Sequence, residues 1–277
     1  IMKLSEERRG LYRKTEYLSS ERVIVTYEAV ATGYSAYISG TSPVGWWGMN
    51  ETGAAATTAD LSGAYGALNS QAGVNLPLTY QGLGVNSLVG QPGFVSGAGN
   101  RAAYLDGTTN SGAYGHGASA YDLNVTGAIY RYEPNGFAIE TWVKTDGLLA
   151  TDCERFVSTR EFGLGIQIVA GAFGNLQFTT FGKQDYFSTA AMPSDGLWHQ
   201  IGVSFDGNVT ASFYIDGVPA GTSVGTASGI RAALSPGGNT INLTHRNTDI
   251  QHFKGWVDEL VIWGSPRSDA DFAASYA

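Results

Sequence analysis

Apolar and polar positions alternate most regularly between Gln200 and Ile215. Ile201, Val203 and Phe205 alternate with Gln200, Gly202 and Ser204, the period of a strand with one buried face. Asp206-Gly207 breaks the run, Ala211, Phe213 and Ile215 resume it against Ser212 and Tyr214, and Asp216-Gly217 closes it. Asp and Gly tolerate the positive φ of tight hairpin turns, so the stretch predicts an antiparallel meander. A further strand is predicted where Phe137, Ile139 and Val143 alternate with Glu140, Trp142 and Lys144. FGLGIQIV at Phe162–Val169 and NLQFTTF at Asn175–Phe181 predict a hairpin. In the last apolar run, strict alternation puts Trp256, Asp258, Leu260 and Ile262 on one face. Val257, Glu259, Val261 and Trp263 take the other, so one carboxylate is expected on each face.

Composition agrees with a turn-rich β protein: 38 glycines among 277 residues, with only 14% charged. A net charge of −8 argues against nucleic acid as a partner. No run of about eighteen apolar residues predicts a membrane span, and the N-terminus shows no apolar signal core. Cys153 is the single cysteine, which excludes a disulfide framework and reads as a small semi-buried side chain. Charge is uneven along the chain: residues 1–22 carry +2 and are charge-dense, and the remainder carries −10. Leu4, Leu11, Tyr12 and Leu18 recur at near-helical spacing, which predicts a short amphipathic helix, and Val23–Tyr27 then reads as a β segment. We therefore divide the chain into an extended arm, 1–40, and one domain, 41–277, with a glycine-rich insertion at about 70–135. Arg8, Arg9, Arg13 and Lys14 are the basic residues with which the arm would dock on an acidic surface.

The Gly196–Gly221 block, headed by Trp198-His199, resembles the core of the laminin G-like, concanavalin A-like jelly rolls. Further blocks follow the same family in order: Ser42–Gly63, Ala102–Gly107, FAIETWVK at Phe137–Lys144, the hairpin above, and Phe253 to the end. The resemblance implies an all-β fold, a two-sheet antiparallel jelly-roll sandwich. It implies recognition more readily than catalysis, and one fold hosts many activities.

If the purely apolar face of Phe137–Lys144 is core, Trp142 stands outside it beside Glu140. An aromatic platform with polar neighbours is how proteins stack on a sugar and bond its hydroxyls; the competing reading is a Trp142 covered by a loop. The insertion adds Tyr114, His116, Tyr130 and Tyr132 among Gly, Ala and Ser, a composition suited either to contact loops or to packing over the sandwich. A carboxylate of the last strand that turns inward must be satisfied by backbone N–H groups, an Arg or a calcium ion (Ca2+). The resemblance makes Asp258 the first metal candidate, with Asp60 and Asp106 as companions. Glycosidases need two facing carboxylates; on strict alternation Asp258 and Glu259 diverge, and none of the four histidines sits in a nucleophile or zinc motif. A non-enzymatic protein is expected. The main expectation is a decoration, collar or fibre component at a virion or other extracellular surface, docked through residues 1–40 on other particle proteins, with self-association open. The alternative is a lectin-like module binding cell-surface glycans, with calcium in support.

Overall fold

The computed structural model describes residues 33–51, 61, 89–95, 100–107, 136–148, 153–159, 162–226, 243 and 251–277 in full. It describes the backbone alone at 12–18, 23–29, 31–32, 57–58, 78–81, 112–114 and 242. In chain order the first elements are β1 (Tyr12–Leu18), β2 (Val23–Ala29), α1 (Ala31–Gly40), β3 (Gly45–Trp47), β4 (Thr57–Thr58), β5 (Leu78–Gln81), β6 (Gln91–Pro92), β7 (Arg101–Asp106) and β8 (Gly112–Tyr114). The long strands follow: β9 (Phe137–Thr145), β10 (Cys153–Ser158), β11 (Phe162–Val169), β12 (Ala172–Thr180), β13 (Gln184–Ala191), β14 (His199–Phe205), β15 (Thr210–Ile215) and β16 (Val218–Val224). β17 (Asn242–Leu243), β18 (Lys254–Trp263) and α2 (Asp269–Tyr276) complete the chain.

Two antiparallel sheets form a sandwich. The first runs β16-β15-β14-β9-β18-β7-β6, with β3 also paired to β18; the second runs β13-β12-β11-β10-β17-β8-β5-β4. The meander expected from the two Asp-Gly pairs is present as β14-β15-β16, and Asp216 and Gly217 both take positive φ at its second turn. At the first turn Asp206 accepts from the Asn208 and Thr210 amides, which fixes the loop. Alternation sends Phe137, Ile139, Val143, Ile201, Val203, Phe205 and Phe213 inward, where they meet Phe162, Leu164, Phe178 and Tyr186 of the second sheet.

Three expectations change. Tyr12–Leu18 is a strand, antiparallel to Val23–Ala29 with Leu18 opposite Val23, and not an amphipathic helix. Pairing across this local hairpin overrides the weak helical period there. Second, α1 lies on the arm side of Gly40 yet buries Tyr34 and Ile38 against the outer face of the first sheet. Third, strict alternation fails in β18. Asp258 pairs with Trp142 and Val261 with Glu140, so two residues of β18 oppose Thr141 alone. This is a β-bulge with Glu259 at φ 49. Thr141 Oγ1 donates to the Asp258 carbonyl at 3.0 Å and occupies an acceptor beside the break in the ladder. Beyond the bulge Leu260 and Ile262 point inward with Val257, and Val261 and Trp263 point outward. Neither acidic side chain enters the sandwich.

Candidate functional site

The outer face of the first sheet carries a second apolar layer. β9 contributes Ala138 and Trp142, β3 Trp46, β15 Tyr214, β18 Val261 and Trp263, and the segment after β6 Phe94 and Val95. α1 covers this surface with Tyr34 and Ile38, and α2 covers it with Phe272 and Tyr276. α2 is held in place by a capping box: Ser268 Oγ accepts from the Asp271 amide, and Asp271 Oδ2 accepts from the Ser268 amide at 2.9 Å. Gly202 makes the close approach possible, because a Cβ there would run into the Phe272 ring.

Trp142 lies at the centre of this layer and is 4% exposed. Phe94 stacks on it at 4.1 Å between centroids, Tyr276 stacks at 5.7 Å, and Tyr34 meets it edge-on at 6.4 Å. Two aromatic neighbours lie parallel to the indole, so the open sugar platform expected at Trp142 is not formed. What covers it is Phe94 with residues of both helices. The indole Nε1–H is buried without a hydrogen-bond partner. Beside it lies a recess of about 230 Å³ lined by Gly33, Tyr34, Phe94, Trp142 and the four residues Ala274–Ala277.

Under that recess sits Glu140, 1% exposed. Its Oε1 accepts from Tyr34 Oη at 2.8 Å and its Oε2 contacts Ser275 Oγ at 2.6 Å, so one carboxyl joins α1 to α2. Burial pushes the Glu140 carboxyl up to about 7, against the Ser275, Tyr34 and Gln200 hydrogen bonds that pull it down. The bulge places two more carboxyls on this face, where alternation had separated them. Glu259 accepts from Trp46 Nε1, and burial raises its pKa against the Trp46 and Asn50 bonds. Asp258 Oδ2 accepts from the Phe94 amide at 3.2 Å, while its Oδ1 has no partner. Burial, with the Glu259 charge adding to it, holds the Asp258 carboxyl well above the usual range. The hydrogen bonds to these three carboxyls come from neutral donors.

Of the three metal candidates, the two described ones stand apart. Asp106 stands opposite Lys254, four positions along β18 from Asp258 and so roughly 13 Å away at about 3.3 Å per residue. Asp60 lies outside the described residues. Among the described residues no three His, Cys, Asp or Glu side chains are grouped to hold a metal ion. Tyr114 is placed by its backbone in β8, opposite Asn242 and Thr79; His116, Tyr130 and Tyr132 lie outside the described residues. Arg13 and Lys14 fall in β1, in register with Glu28 and Tyr27, and Arg8 and Arg9 lie outside the described residues. The described helices are too short or too polar to cross a membrane.

Sequence reasoning singled out Trp142 and Glu140 but missed Tyr34, Phe94, Ser275 and Tyr276, which close over them. It also missed a polar row on the outer face of the second sheet. There Arg155, Gly165 and Gln177 are in register on adjacent strands. The Arg155 guanidinium lies 4.9 Å from the Phe181 ring centroid, with Nε donating to Gln251 Oε1 at 2.7 Å. Arg155 Nη1, Gln177 Oε1 and Ser158 Oγ are buried there without hydrogen-bond partners.

Comparison with known proteins places this geometry. The sequence over 117–273 matches the family model of the concanavalin A-like lectin/glucanases superfamily. No curated protein sequence matches the chain. Among solved structures, domain 4 of AbnA, a GH43 extracellular arabinanase from Geobacillus stearothermophilus solved with arabinotriose, superposes with a TM-score of 0.53. It is 18% identical over 85% of this chain and 98% of its own. A botulinum neurotoxin serotype D/C binding domain gives a TM-score of 0.55 at 14% identity, over 85% of this chain and 52% of its own. The binding domain of Paraclostridial Mosquitocidal Protein 1 gives 0.53 at 16% identity, again over 85% and 52%. This chain therefore spans about half the length of those toxin domains, and at such identities the likeness is one of fold. With the family model covering more than half the sequence and the jelly-roll sandwich in place, the chain belongs to the concanavalin A-like lectin/glucanases superfamily.

Proposed function

We propose that this chain is a carbohydrate-binding module that recognises a glycan and does not cleave it, with the recess between α1 and α2 as its contact point. The observation that carries this reading is the aromatic-lined recess over Trp142, an indole whose buried Nε1–H has no partner. An unpaired buried donor costs about 1–3 kcal/mol, which an acceptor supplied by a ligand would offset. Aromatic edges with one or two polar groups suit a sugar's apolar ring and its hydroxyls. At about 230 Å³ the recess is smaller than the roughly 300–1,000 Å³ of drug-sized sites, so it suits one terminal sugar unit. Cleavage needs two carboxylates flanking the bond, and the recess wall carries none; Glu140 beneath it has both oxygens engaged by Tyr34 and Ser275. The arabinotriose-bound relative and the toxin binding domains support a binding role, and an extracellular setting goes with it. Attachment to a particle rests on the arm alone, whose β1–β2 hairpin pairs with neither sheet of the sandwich.

The test is a glycan array followed by titration calorimetry, beginning with arabinotriose. Saturable binding that Trp142→Phe weakens about tenfold, the ring kept and only the N–H lost, is the expected result. A folded protein that binds no glycan would remove the reading. Binding indifferent to Trp142→Phe would move the site elsewhere.

A further inference from the structure

The hydrogen bonds around Glu140 are arranged differently in its two protonation states, and only the neutral one is free of a buried charge. Ser275 Oγ touches Glu140 Oε2 at 2.6 Å and the Phe272 carbonyl at 3.0 Å, both of which are acceptors when Glu140 is charged. A hydroxyl has one proton and two lone pairs, and one lone pair is already taken by Gln200 Nε2 at 2.9 Å. With a proton on Glu140 Oε2 every partner is satisfied. The carboxyl donates to Ser275 Oγ, the Ser275 hydroxyl donates to the Phe272 carbonyl, and Tyr34 donates to Glu140 Oε1. Without that proton, Ser275 donates to Glu140 Oε2 and releases the Phe272 carbonyl to its intrahelical partner, and the anion is left buried among neutral donors beside Asp258 and Glu259.

We infer that α1 and α2 form a proton-held clasp over the outer face of the first sheet, closed while Glu140 is protonated and loosened when it ionises. The groups that face Glu140 set the response. From α1 come Tyr34 and Tyr37, both with raised pKa values, chiefly through burial, so they stay neutral. From β18 come Asp258 and Glu259, like charges once ionised; Glu140 and Glu259 repel, and so do Asp258 and Glu259. β14 contributes only the Gln200 amide. Near α2 stand Asp269, bonded by Tyr214 at 2.8 Å, and Asp271, paired at 3.3 Å with Arg267. Arg267, the nearby cation, is committed to Asp271, to Tyr37 Oη at 2.8 Å and to the Trp263 ring at 4.6 Å. That second tie between the helices does not involve the Glu140 proton. Ionisation therefore loosens the clasp at Glu140 and leaves it hinged at Arg267. Because Tyr34 and Ser275 also line the recess, the clasp sets the width of its mouth whatever the recess binds.

Hydrogen exchange of the full chain between pH 6 and 9, corrected for the intrinsic rate and referenced to β14, tests this. In the wild type, protection of 31–40 and 269–276 is expected to fall by about tenfold or more across that range while β14 stays level. In Glu140→Gln the amide reproduces the protonated pattern, accepting from Tyr34 and donating to Ser275, so protection is expected to stay flat. Ser275→Ala removes the acceptor for the shared proton. It is expected to lower α2 protection already at pH 6 and to abolish its pH dependence, which keeps the test open if Glu140→Gln folds poorly. Flat protection in the wild type, or a pH dependence that survives in the variants, overturns the inference.

Discussion

The two faces of the first sheet are packed by different rules. On the inner face Phe137, Phe162, Phe178, Phe205 and Tyr186 pack with ring centroids 4.8–6.2 Å apart, with Glu154 of β10 buried in register with Ile166 and accepting from the Lys254 amide at 3.4 Å. On the outer face the aromatic residues are just as close, yet they share the layer with Glu140, Asp258 and Glu259. Burial of hydrocarbon responds to area and volume and is indifferent to protons. A buried carboxyl met by neutral donors is tolerable in its neutral form and costly as an anion. One sheet therefore carries a layer built chiefly on hydrocarbon burial and another whose strength is set by its proton inventory.

The largest effect should come from the inner face. Phe178→Ala leaves a cavity among Phe137, Tyr186 and Phe205 and should cost about 3–5 kcal/mol by chemical denaturation, the same at pH 6 and pH 9. A loss that changed with pH would blur the contrast. Next, the outer face should make the wild type lose stability as pH rises. The Glu140 carboxyl is raised from its ordinary 4.5 to about 7, so between those values the native state holds a proton that the unfolded chain has released. This stabilisation, on the order of 3 kcal/mol, is then fully present below 4.5 and is lost as pH rises through 7. Denaturation midpoints that rose over this window would reverse the assignment. Gly202→Ala drives a methyl into Phe272 and should cost about 1–3 kcal/mol, with exchange rising in α2 before the inner strands. Uniform loss of protection would mean that the two layers melt as one. The smallest effect belongs to the cap of α2: Ser268→Ala should cost about 1 kcal/mol and fray α2 alone.

Much of the inner face could be read directly. Asp206-Gly207 and Asp216-Gly217 are turn residues at the positions where the chain turns, and Phe137 to Val143 alternates as a half-buried strand should. The outer face was legible only in part. Trp142 and Glu140 were visible as a pair on one side of β9, because that follows from the period of a strand. Their covers come from distant parts of the chain: Tyr34 from α1, Phe94 after β6, and Ser275 and Tyr276 from α2. No local pattern brings such residues together. The bulge was hidden for another reason. Positive φ usually announces itself through Gly or Asn, and here it is taken by a glutamate inside an apolar run. The hairpin at β1–β2 was obscured by leucines whose spacing imitates a helix.

The bulge has a consequence in the language of insertions and deletions. Leave out residue 259 and the remaining run, Val257, Asp258, Leu260, Val261, Ile262, Trp263, alternates without a fault, with every side chain on the face it already occupies. Losing that one codon would be silent to the sandwich and felt on the outer face, where Trp46 and Asn50 would lose their bonds to Glu259. Losing the Leu260 codon would instead turn Glu259 into the sandwich, whereas losing that of Asp258 would leave Glu259 outward in its place. The bulge is thus one acidic residue added to a strand already complete without it, and a reading-frame-preserving deletion scan through β18 would show tolerance confined to positions 258 and 259.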